Sequence, residues 1–109
     1  MPILPIPRST FDQLHPNRTT PHMQEEVEWF AERSRLLIGY VARHLERPRD
    51  TAEWLMAIEG RDEHGKFHVV DAREHLPTQQ EARALLEKRM NELLASGLKV
   101  FPRGVALPR

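Results

Sequence analysis

The run Gly65-Lys66-Phe67-His68-Val69-Val70-Asp71, leading through Leu76-Pro77 into Thr78-Gln79-Gln80-Glu81-Ala82, constrains this chain more than any other part of it. An extended segment rich in Phe and Val meets a proline, and a capped helix begins directly after it. Thr78 followed by Glu81 has the spacing of a capping box, in which side chains satisfy backbone N–H groups left open at a helix start. Beyond it Ala82, Leu85, Leu86, Met90, Leu93 and Leu94 recur at helical spacing, with Arg83, Glu87, Lys88, Asn91 and Glu92 on the opposite side. The spacing predicts an amphipathic helix over residues 79–96. Gly97 suits the left-handed position that ends a helix, with Leu98 folding back on Leu93 or Leu94. Arg89 falls between Leu85 and Leu93, where its stem is expected to lie along apolar surface with the guanidinium in water.

Upstream, Trp54, Met56 and Ile58 alternate with smaller or charged residues, the period-2 pattern of a strand with one buried face. It should pair with the strand near 67–72 through the polar loop 61–65, whose terminal Gly65 can adopt a positive φ. Residues 36–43, Leu-Leu-Ile-Gly-Tyr-Val-Ala-Arg, read as a further strand. Residues 23–33 admit two readings. Thr20-Pro21 with Glu25 and Glu26 resembles a helix start. Val27 to Ala31 equally suits a strand, and the adjacent aromatics Trp29 and Phe30 favour that reading. The expected fold class is α+β, a three- to four-stranded antiparallel meander with one C-terminal helix packed on one face.

Five of the nine prolines fall in the first 21 residues, so residues 1–20 are expected to form an extended or disordered arm. Residues 21–101 should form one α+β domain, with Val100 and Phe101 adding a short edge strand, and 102–109 a flexible tail. The chain lacks cysteine, which excludes a disulfide framework and thiolate chemistry. No stretch approaches the roughly 20 apolar residues of a membrane span, and the N-terminus is unlike a signal peptide. A cytoplasmic location is the expectation.

Formal net charge is zero, but charge is segregated in blocks. Glu25, Glu26, Glu28 and Glu32 precede a basic stretch carrying Arg33, Arg35, Arg43, Arg47 and Arg49, and the end of the chain holds Lys99, Arg103 and Arg109. Arg43, Arg47, Arg49, Lys99 and Arg103 are the candidate nucleic-acid contacts, provided that the tail lies near the loop after the strand at 36–43. Mutual neutralisation of the blocks across adjacent strands is the competing reading.

No catalytic, metal or cofactor constellation is expected. His64 and His68 on a strand would stand about 13 Å apart, too far to share one metal ion. With His75 they read as surface or rim histidines, and Asp62-Glu63 as solvated turn residues. Neither a nucleophile elbow nor a glycine-rich phosphate loop is present. One helix covers only part of a four-stranded sheet. A second face carrying some of Leu37, Val41, Leu55, Ala57, Val70 and Ala72 is therefore expected to be unusually apolar. Leu55, Ala57, Val100 and Phe101 are the candidate protein interface, for a second copy of the chain or another protein.

The strand-strand-strand-helix order, with Pro77 to Arg83 at the junction, resembles double-stranded-RNA-binding domains. That family grips phosphate with a lysine cluster at this site, where Gln79, Gln80 and Arg83 stand here. The segment around Phe67 to Ala82 is also similar to the small sheet-plus-helix domains at the N-termini of tyrosine recombinases. The order Asp62-Glu63-x-Gly65-x-Phe67, then Leu76-Pro77-Thr78, Ala82 and Leu86, with Trp29-Phe30 upstream, resembles small bacterial proteins of this architecture that have no known activity. That likeness carries no activity with it. The apolar second face and the edge at Val100 and Phe101 point to a non-catalytic protein-interaction or self-associating module, with nucleic-acid binding through the local arginine patch as the alternative.

Overall fold

A computed structural model describes residues 3–6, 28–43 and 54–101 of the 109-residue chain. Five antiparallel strands, β1 (Leu4–Ile6), β2 (Glu28–Ala31), β3 (Leu37–Arg43), β4 (Trp54–Arg61) and β5 (Phe67–Leu76), lie side by side in chain order. Among the described residues one helix, α1 (Gln79–Ala95), follows them and packs across β3, β4 and β5.

The α+β meander is as expected, and the strand count is higher. β1 comes from the segment expected to be an arm. It pairs with β2 in the register Leu4 to Ala31 and Ile6 to Trp29. Pro5 has no N–H to give to a ladder, and an edge strand tolerates that loss. Glu28–Ala31 is a strand, which decides between the two readings for the part of 23–33 that is described. The remainder of the expected arm, the start of that segment and the expected tail lie outside the described residues.

The described turns are closed by local chemistry. Between β4 and β5, Gly65 takes φ 78° and donates to the Asp62 carbonyl at 3.0 Å. The Asp62 carboxylate accepts from the backbone N–H groups of His64 and Lys66, both at 2.9 Å. The Lys66 bond is the main reason that this carboxyl titrates below its ordinary value. At the start of α1, Thr78 Oγ1 accepts from the Glu81 N–H at 3.1 Å, the cap read from the sequence. Gly97 takes φ 80° beyond the helix end, but Leu98 stays substantially exposed instead of folding back.

The register assigns the faces. Leu37, Gly39 and Val41 stand opposite Gly60, Ile58 and Met56 and face the helix, with Phe30 beside them. There they meet Ala82, Leu86, Met90 and Leu93 of α1. Gly39 makes the close approach possible, because a Cβ there would lie 2.7 Å from Leu86 Cδ1 and 2.8 Å from the Ala57 carbonyl. Ile38, Tyr40 and Ala42 stand opposite Glu59, Ala57 and Leu55 and form a second cluster on the other face. The expected second face was therefore mixed. Leu37, Val41 and Val70 belong to the helix side, and Leu55, Ala57 and Ala72 to the far side; Leu37, Val41, Leu55 and Ala57 are buried in the single chain, Val70 partly so, and Ala72 is exposed. Trp54 and Tyr40 are core residues.

β5 departs from simple alternation twice. Ile58 stands opposite Asp71 and Glu59 opposite Val69, so Val70 is an extra residue, a β-bulge. A second irregularity falls between Arg73 and Leu76, where His75 takes φ 62°. The first bulge has a chemical consequence: Val70 packs against the helix-side cluster, and Asp71, the next residue, faces Ile58 on that same side. Uninterrupted alternation would have turned Asp71 away from the helix.

Candidate functional site

Four charged side chains are buried among the described residues: Glu32, Glu59, Asp71 and Arg89. The geometry around three of them is structural. Glu32 sits at the β2–β3 turn, 2% exposed. Its carboxylate accepts from Ser34 N–H at 2.7 Å, Ser34 Oγ at 2.6 Å and Leu36 N–H at 2.6 Å, with Leu37 N–H at 3.3 Å. One side chain thus gathers the open donors of the whole turn, in which Arg35 takes φ 57°. Glu32→Ala leaves those donors without their acceptor, and a loss of about 1–3 kcal/mol in unfolding free energy is expected from urea titration.

Arg89 does not place its head in water. Its side chain is only 7% exposed and donates from Nε to Asp71 Oδ2 at 2.7 Å and from NH1 to Glu92 Oε2 at 2.9 Å. Asp71 in turn lies 3.3 Å from Arg73 Nε. The bond to Asp71 is the leading cause that keeps the guanidinium above its ordinary range, so Arg89 stays cationic throughout the accessible pH range. The expectation of a solvated head fails because the Val70 bulge brings a carboxylate to the spot. At the other end of the helix, Glu28 on β2 binds Gln79 Nε2 and pairs with Arg83, tying the first turn of α1 to the sheet.

The expected basic patch is not brought together. Arg43 stands opposite Trp54 at one end of β4, while Phe101, two residues after Lys99, bonds Arg61 at the other end. Seven residue steps of strand separate those ends by about 23 Å. Arg47, Arg49 and Arg103 lie outside the described residues. Among the described residues no group of three or more His, Asp or Glu is placed to hold a metal ion. His64 and His75 are surface side chains beside Glu63 and Glu74. No described helix is long and apolar enough to cross a membrane.

Of the candidate interface residues, Leu55 and Ala57 are core members of the far-side cluster. A charge at Leu55 would enter a buried site, so it tests stability before association. Phe101 is also corrected. It is 0% exposed and belongs to the helix-side core, and residues 100–101 form no strand. Its N–H donates to the Arg61 carbonyl at 2.9 Å, and its own carbonyl accepts from His68 Nε2. A carbonyl only accepts, so Nε2 carries the proton. Val100 is 36% exposed beside it, and Val69 is 49% exposed on β5.

Those two valines mark the surface that the described chain leaves open. β5, ten residues long, pairs on one side with β4, and no described strand pairs with its other side. Sequence reasoning identified Val100 but not Val69. The two adjacent valines of β5 look alike in sequence, and strand alternation turns Val70 to the helix-side cluster, where it is partly buried, and leaves Val69 exposed on the other face.

The chain matches no family model, no curated protein and no solved structure. A functional reading therefore rests on the geometry of this molecule.

Proposed function

We propose that this chain is a small non-catalytic module that associates with a second copy of itself through the open side of β5. The observation that carries the reading is the exposed Val69 on the long edge strand of an otherwise well-buried sheet. An unpaired strand edge offers a row of backbone donors and acceptors to a partner strand. Two copies meeting edge to edge and antiparallel make an isologous contact about a two-fold axis. Such pairing sets Lys66, before one end of β5, towards Glu74 of the other copy near its far end, and both side chains are exposed. The bulges at Val70 and His75 restrict the pairing to short stretches, which favours a closed dimer over an open-ended array.

The buried charges support the non-catalytic part. Glu32, Asp71 and Arg89 are spent on a turn and on the attachment of the helix.

The test is solution mass by sedimentation equilibrium across a concentration series. A mass above that of the 12.7 kDa monomer is expected at high concentration. Val69→Lys should return the protein to the monomer with its urea midpoint shifted by no more than about 0.5 kcal/mol, since an exposed position is altered. A wild-type protein that stays monomeric throughout the series would remove the proposal.

A further inference from the structure

Phe101 combines two properties that rarely occur together. It is wholly buried, yet it sits at the end of the segment 97–100, every residue of which is exposed. That segment begins at Gly97 with a positive φ, and its Leu98 N–H reaches Ser96 Oγ only at 3.4 Å. Residues 98–100 lie exposed, whereas Phe101 is held at three points. The Arg61 carbonyl accepts its N–H, His68 Nε2 donates to its carbonyl, and its ring base lies over the bare Cα of Gly60. A Cβ on Gly60 would come within 2.7 Å of both Phe101 Cβ and Cγ.

We infer that these three groups form a recognition slot for an aromatic residue in an extended peptide, and that Phe101 fills the slot in cis as a detachable latch. One acceptor and one donor read the backbone of the incoming residue. The missing side chain of Gly60 reads its ring, because the base of the ring can lie against the strand backbone there. Selection follows from the same parts: proline has no N–H for the Arg61 carbonyl, and a small side chain leaves the space over Gly60 unfilled. The ligand class is therefore a phenylalanine-bearing extended peptide, and the latch competes with it. The slot opens on the helix side of the sheet, so it is separate from the edge pairing proposed above.

Hydrogen exchange on the unmodified full-length protein tests the latch directly. The Phe101 amide is buried and bonded, so it exchanges only through an opening. A latch opens without the core, and the Phe101 amide should exchange at least tenfold faster than the Met90 amide, with little dependence on low urea. Equal rates for the two amides, rising together with urea, would overturn the inference.

The slot is tested with Phe101→Ala in the full chain, titrated with an end-blocked peptide of residues 98–103 and followed by amide shifts. Saturable binding centred on Gly60, Arg61 and His68 is expected, at least tenfold tighter than to the unmodified chain, with no binding of the same peptide carrying alanine for phenylalanine. A folded Phe101→Ala protein that ignores the peptide, or binds both peptides alike, would also overturn it. Should this variant not fold, the exchange result on the unmodified chain decides.

Discussion

Asp71→Ala is expected to lower the unfolding free energy by about 3–5 kcal/mol, because it leaves the Arg89 guanidinium buried without its main partner. Arg89 keeps Glu92 as a second acceptor at 2.9 Å, so the lower half of that range is the better estimate. The measurement is a urea titration, with a falling midpoint at constant slope. In a domain whose total stability is on the order of 5–15 kcal/mol, such a loss removes a large part of the margin. Replacing the pair together, as Asp71→Leu with Arg89→Met, should recover most of it, since apolar groups of similar volume need no compensating charge. If the double variant is no more stable than Asp71→Ala, the ion pair does more than neutralise itself.

The second large effect concerns Gly60 and Phe101. Phe101→Ala removes a wholly buried aromatic side chain and should cost about 3–5 kcal/mol. Gly60→Ala places a methyl group where the Phe101 ring base lies, an overpacking expected to cost about 1–3 kcal/mol. The two costs should not add. In the double variant the contacts with Cγ and Cδ2 disappear with the ring, and the Cβ left at position 101 can give way once the ring no longer holds it, so the combined loss should fall short of the sum by at least about 0.5 kcal/mol. Additive losses in a double-mutant cycle would mean that Gly60 matters through strand backbone entropy and not through the ring above it.

Glycine at position 60 shows why part of this molecule was hidden in its sequence. A glycine at the end of an apolar run reads as the start of a turn, and the polar residues after it strengthen that impression. In the structure it lies inside β4, paired with Leu37 and His68, and its lack of a side chain is used by a residue 41 positions later. No local pattern links the two. The same holds for Asp71 and Arg89: each is a charged residue on an element with an apolar face, and each taken singly predicts a solvated head group. Their pairing depends on a bulge, which is a matter of strand register across the sheet and not of either residue's neighbours.

The interface residues follow the same division. Val100 was legible as an apolar residue in a polar context, and it is exposed. Leu55 and Ala57 were assigned to the correct face, but their burial depends on what the whole chain lays against that face. Arg43 and Lys99 were grouped as basic residues on the proviso that the tail lies near the loop after the strand at 36–43. Which ends adjoin is decided by the antiparallel sheet, and it separates them by the length of β4.

What the sequence determined by itself is whatever follows from interactions within a few residues. The helix, its Thr78 cap and its Gly97 end are of this kind, as are the hairpin closed by Asp62 and Gly65 and the alternation of Trp54, Met56 and Ile58. The tertiary structure decided the rest: the recruitment of Leu4–Ile6 as a fifth strand, the turn of Asp71 towards Arg89, the seating of Phe101 on Gly60, and the exposure of Val69 beside the partly buried Val70. The physical reason is common to all four. Each depends on backbone pairing or close packing between residues far apart in the chain, where the energy belongs to the contact and neither partner carries a local signal of it.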